Sequence, residues 1–222
     1  MEQVGVIDEA TETELLDPAV LASVPPEASP ADQLSRLIEA RVAELDRVGG
    51  DNRGEAGLVE AAFLTIACAF GNEPCNLADA FAFIDRLEVE MMRFPALECP
   101  VTHRFTPGLY SRELFAPAGA LITSKIHTTE HLFVVSRGRA TVFTAHDGVV
   151  EYQAPYAGRT LPGTRRVVFA HEDTVWTTFH ANPENETDPE KIMNRITFRH
   201  DRHTAGMEQP KAMCQAQPGE LL

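Results

Sequence analysis

GALITSKIHTTEHLFVVSRGRATVF, residues 119–143, is the stretch that decides the fold. Ile122, Thr123, Ile126, Val134, Val135, Thr141, Val142 and Phe143 are β-branched or aromatic, the types that fit a pleated, half-buried surface better than a helix. Arg137-Gly138 interrupts them with a hairpin turn. Working outward, similar runs recur at 108–114 (GLYSREL), 149–154 (VVEYQA), 165–170 (RRVVFA) and 174–180 (TVWTTFH). The His146-Asp147-Gly148 triplet and Glu172-Asp173 supply further turns. Over 119–145, ALITSKIH (120–127), HLFVVS (131–136) and RATVFTA (139–145) read as separate strands. Many short strands with no helical pattern between them predict a β-sandwich or barrel.

The spacing inside this stretch is specific. Gly119 is followed by five residues and Lys125, one residue and His127, three residues and His131, then six residues and Gly138. Further on, Gly158, Pro162 and Gly163 precede Arg165-Arg166. These spacings resemble the two motifs of the cupin superfamily. Lys125 stands at the first histidine position, His131 at the glutamate position and Arg166 at the third histidine position. Residues 98–182 are similar, more narrowly, to small cupin-like proteins of tailed-phage and prophage genomes. The resemblance rests on CPVTHRFTPGLYSRELFAPAG, HTTEH, PGTRR and HEDTVWTTFH. It implies a mainly β, double-stranded jelly roll, and it covers less than half of the chain.

Metal-binding cupins hold iron, manganese, nickel or zinc on imidazoles and a carboxylate inside the barrel. The resemblance therefore makes His127 and His131 candidate metal ligands, with His180, at the end of TVWTTFH, as a candidate third. Alternation places Lys125 on the same face as His127, pointing inward. Lys125, Arg166 and Trp176 are then candidate ligand-binding residues. The two cations oppose a metal: unit charges 4 Å apart repel by roughly 4 kcal/mol at an effective dielectric near 20. Glu113 and Glu130 would offset them only by turning inward. Such a pocket also suits a carboxylate, a phosphate or an anionic sugar derivative. His103, His146 and His171 read as loop or turn residues facing solvent, and His200 and His203 as a solvated terminus.

Before the strands the pattern is helical. Ser29 can cap a helix whose face carries Leu34, Leu37, Ile38, Leu45 and Val48, stopped by Gly49-Gly50. A second helix covers roughly 55–70. A third opens at Asn76, runs through Leu77, Phe81, Ile84, Leu87 and Met91, and ends before Pro95. The expected organisation is an acidic arm over 1–28, a helical region of about three helices over 29–95, a jelly roll over 96–182 and a C-terminal extension over 183–222. That extension contains a short helix near 188–194 and an apolar patch at Ile196 and Phe198. The helices pack on the barrel, cover its mouth or form a bundle of their own.

Composition narrows the function. Thirty-three acidic against nineteen basic residues give a net charge of −14, which argues against a general nucleic-acid or anionic-membrane binder. Residues 1–60 carry a net −10 (four basic minus fourteen acidic), whereas 103–180 carry +2 (eight basic minus six acidic). The longest apolar run, 61–70, is about half of a membrane span. Cys68, Cys75, Cys99 and Cys214 form no C-x-x-C pair and read as reduced, packed thiols. The expectation is a cytoplasmic protein that binds a divalent metal, a small polar or anionic ligand, or both, inside the barrel. A homodimer is expected, since jelly rolls of this type pair through their sheets. The alternative is a phage-type interaction protein, virion-associated or docked on a host protein, with the jelly roll as scaffold.

Overall fold

A computed structural model describes residues 28–30, 32–37, 39, 53–71 and 73–198. The arm expected over 1–28 and the tail with His200, His203 and Cys214 lie outside the described residues, apart from Ala28. A helical segment at 32–37 starts from Ser29, whose hydroxyl meets both the Asp32 carboxylate at 2.7 Å and the Asp32 backbone N–H at 3.3 Å. Helix α1 (Arg53–Ala69) follows, then α2 (Leu77–Met91). Asn76 caps α2 by accepting hydrogen bonds from the N–H groups of Ala78 and Asp79.

Ten strands then run in sequence: β1 (Val101–Thr106), β2 (Gly108–Ala116), β3 (Leu121–Thr123), β4 (Ile126–His127), β5 (His131–Arg137), β6 (Arg139–Thr144), β7 (Gly148–Gln153), β8 (Tyr156–Thr160), β9 (Arg166–Ala170) and β10 (Thr174–Asn182). Helix α3 (Pro189–Ile196) and β11 (Thr197–Phe198) complete the described chain. A five-stranded sheet, β1-β2-β10-β5-β8, faces a four-stranded one, β3-β9-β6-β7, and β11 pairs with β4. Every pairing is antiparallel. The architecture is mainly β, a double-sheet jelly roll with helices beside it.

Alternation divides the four-stranded sheet into two faces. Val142, Tyr152 and Val168 point into the barrel, where they pack with Phe133, Val135 and Trp176 of the opposite sheet. Leu121, Phe143 and Val167 point outward and share one core with Leu34 and Leu37, Ile66 of α1 and Phe83 and Leu87 of α2. Phe143 stacks on Phe70 at 5.1 Å and meets Phe83 edge-on at 6.1 Å. The helices therefore cover the outer face of the smaller sheet. An ion pair pins them there: Arg165 reaches Asp85 at 2.6 Å and Glu88 at 2.9 Å, with its own side chain only 3% exposed.

Gly138, in the first motif, adopts φ +83°, and a Cβ there would lie 2.5 Å from the Asp173 carbonyl oxygen and 2.8 Å from Thr174 Cα. Only glycine fits so tight a hairpin against the next connection. Gly158 serves packing instead, since a Cβ would meet the Phe133 ring at 2.5 Å.

Three expectations change. The strand read over 120–127 breaks at Ser124-Lys125, so the alternation linking Lys125 to His127 is interrupted; Ile126 is buried and Lys125 is exposed. VTHRFT and YAGRT, not singled out as strands, form β1 and β8. Cys99 is disulfide-bonded rather than a reduced thiol, whereas Cys75 is free.

Candidate functional site

The sheet register builds the site. Phe105 of β1 pairs with Tyr110 of β2, and Tyr110 with His180 of β10. Phe179 opposite Leu132 brings His180 beside His131 at the start of β5, and His131 pairs with Thr160 of β8. One inward-facing row thus crosses the five-stranded sheet as Phe105, Tyr110, His180, His131 and Thr160. The adjacent row carries His103, Arg112, Thr178 and Phe133.

His127 approaches from the other side on β4. Its N–H donates to the Thr164 carbonyl at 2.9 Å and its carbonyl accepts from Gly163 at 2.7 Å, so the Pro162-Gly163 turn fixes its backbone. Strand β11 pairs across it, Thr197 to His127. Helix α3, capped by Asp188 with Pro189 at its first turn, places Ile192 and Ile196 against Tyr110. The C-terminal extension therefore packs onto the histidine end of the barrel.

Three imidazoles gather there. The His131 ring lies 4.6 Å from that of His127 and 4.2 Å from that of His180, and the outer two are 6.4 Å apart. Each carries a buried nitrogen with no partner among the described residues: His127 Nδ1, His131 Nε2 and His180 Nδ1. His131 Nδ1 faces the Thr129 carbonyl at 3.2 Å, which fixes the proton on that atom and leaves Nε2 as a bare lone pair. His180 Nε2 meets the Thr178 hydroxyl at 3.0 Å.

Burial and charge keep all three neutral. Burial is the main cause in each case, pushing His127 down to about 2, His131 to about 4 and His180 to about 3. Arg166 lowers His127 and His131 further, and Arg112 lowers His127 and His180. Arg166, 7% exposed, hydrogen-bonds the Thr160 hydroxyl. Its guanidinium lies 5.6 Å from the Phe133 ring and 5.8 Å from that of Trp176. Burial lowers Arg166 to about 10 and lowers Arg112 as well.

The remaining candidates fall as follows. Trp176 stacks on Phe133 at 4.6 Å as part of the barrel core beside Arg166. Lys125 is outside the cluster. Glu113 pairs with Arg104 and Glu130 with Arg159, both away from the histidines. His103 is not a loop residue: it lies in β1, and its Nδ1 sits 2.7 Å from the Tyr110 hydroxyl. His146, expected to face solvent, has a buried, unpartnered Nε2, and His171 bonds the Thr141 hydroxyl at 2.7 Å. Arg112 and Tyr110 are the residues that sequence reasoning missed. Their signal is alternation within GLYSREL, which puts Tyr110, Arg112 and Leu114 on the face of Trp176 and His180.

A divalent metal meets this site only in part. Three neutral imidazoles with free nitrogens are good donors, and rings around one tetrahedral metal would stand roughly 5 Å apart. However, no group of three or more His, Cys, Asp or Glu among the described residues is arranged to hold a metal ion. The carboxylate is missing and two arginines face the would-be cation. The side chains as they stand offer a metal its nitrogen donors but no carboxylate.

No family's sequence profile matches the chain, and no curated protein does. Several solved structures are similar to it. An uncharacterised conserved protein with a double-stranded β-helix domain from Klebsiella pneumoniae shares 17% identity, with 40% of this chain and 81% of that one covered, at a TM-score of 0.35. An RmlC-like cupin family protein from Methanocaldococcus jannaschii shares 11%, covering 44% and 87%, also at 0.35. Salicylate 1,2-dioxygenase from Pseudoaminobacter salicylatoxidans shares 14%, covering 50% of this chain but 32% of its own, at 0.36. These solved structures are cupin and double-stranded β-helix proteins, and each is similar to half of this chain or less.

Proposed function

We propose that this cupin-like protein binds a small polar, anionic ligand at the histidine end of its barrel. One observation carries the reading: two arginines on inward-facing strand positions join no ion pair among the described residues. Among the described residues the ion pairs go to other arginines, such as Arg104, Arg159 and Arg165, and neither Arg112 nor Arg166 joins one. Arg166 is buried and Arg112 partly exposed; an unpaired cation held away from bulk water is costly, and a bound anion offsets that cost. The guanidiniums would take anionic oxygens, and the bare imidazole nitrogens a hydroxyl hydrogen.

A divalent transition metal (Fe, Mn, Ni or Zn) is the second reading, favoured by the lone pair at His131 Nε2. Calorimetric titration of chelator-treated protein with acetate, succinate and phosphate, at constant ionic strength, separates the two. The anion reading expects saturable binding that Arg166→Gln abolishes. Stoichiometric metal in protein purified without chelator, lost in His131→Ala and with no anion binding, would establish the metal instead.

A further inference from the structure

Arg112 and Arg166 approach the histidines from opposite walls. Arg112 lies on β2 of the five-stranded sheet, and Arg166 on β9 of the four-stranded sheet. The positive charges of both act on His127. The Thr160 hydroxyl takes one arm of Arg166, and no hydrogen bond within the described residues uses the guanidinium of Arg112. Asp147 is the carboxylate whose charge reaches Arg166, yet it is exposed and bound to the Thr144 hydroxyl at 3.0 Å. Apart from Asp147, the groups beside the two cations are neutral. His131 and His180 are 5% and 3% exposed and each presents an unpartnered nitrogen, while Tyr110 is fully buried and bound to His103.

Two separated positive charges, Arg166 buried and Arg112 partly exposed, are balanced by two separated negative ones. We infer that the ligand is a small dicarboxylate, one carboxylate held by Arg112 and the other by Arg166, with its middle against His127, His131 and His180. This rests on the anion reading above and names its substrate class. It also gives Arg112 a role that no motif assigns, setting the charge and length of the ligand accepted.

Matched probes test it on the full chain at constant ionic strength. Succinate and butyrate share four carbons and differ in one charged end, and inorganic phosphate is a compact dianion. Wild-type protein is expected to bind succinate roughly tenfold or more tighter than butyrate, and tighter than phosphate. Arg112→Gln should reduce that preference to about threefold or less, with Arg112→Lys, which keeps the charge, retaining most of it. Butyrate binding as well as succinate overturns the inference and leaves the anion reading standing, as does phosphate binding tighter than succinate. A preference that survives Arg112→Gln also overturns it. Binding of none of the three overturns both. The wild-type comparison decides even if a variant fails to fold.

Discussion

At His127, His131 and His180 the fold keeps imidazoles uncharged that would titrate near 6.5 in an unfolded chain. Their folded-state values are depressed, so between pH 6.5 and about 4 the unfolded state binds more protons than the native one. Stability is then complete above pH 6.5 and is lost as pH falls. Near pH 5 the difference approaches about three protons from these groups. His103 and His171 are depressed as well, chiefly by burial, and steepen the loss. Denaturant unfolding of chelator-treated protein at pH 7, 6 and 5 checks this; stability that stays flat over that range would contradict it. His127 and His131 were singled out by the resemblance of the 119–138 spacing to a cupin motif. His180 was legible as the polar end of an apolar strand. Arg112 was missed: alternation within GLYSREL sets it on the face of Tyr110, but that this face turns inward is fixed only by the register of β2 against β10.

Element by element, apolar periodicity carried the reading furthest. Helices α1 and α2 and most strands follow it, as does the cap at Asn76. It failed where strands are short or polar, as in β1 and β8, and where ALITSKIH bends at Ser124-Lys125. Ser124 there accepts a hydrogen bond from the Arg166 backbone, and its own N–H donates to the Arg166 carbonyl. A side chain's direction beyond such a break cannot be counted from the strand before it. Where the helices dock also depends on residues distant in sequence. Arg165 joins β9's entry to α2 through Asp85 and Glu88, and removing it breaks a buried ion pair. Arg165→Ala should cost on the order of 3–5 kcal/mol. Urea unfolding would measure it, and Arg165→Met combined with Asp85→Leu should recover much of the loss. A neutral Arg165→Ala would show that the ion pair does not hold the helices.

For the molecule as a whole, one sheet is backed by helices and the other faces it across a barrel against which α3 and β11 pack at the histidine end. Among the described residues no helix is long and apolar enough to cross a membrane. The strong acidity sits in the first sixty residues, away from the sequence that builds the barrel. Its interior at the histidine end is cationic instead. A ligand that binds only the native state raises stability by about 2.7 kcal/mol at a hundredfold excess over its dissociation constant. For a chain of this size that is on the order of 5–10 °C in melting temperature. The most direct measurement is therefore the melting temperature of the full chain across a succinate titration, for wild type and for the Arg112→Gln/Arg166→Gln double variant. A saturable rise in wild type with a flat response in the double variant is the predicted result. A flat wild-type curve, or an equal rise in both proteins, would contradict an anion site built on these two arginines.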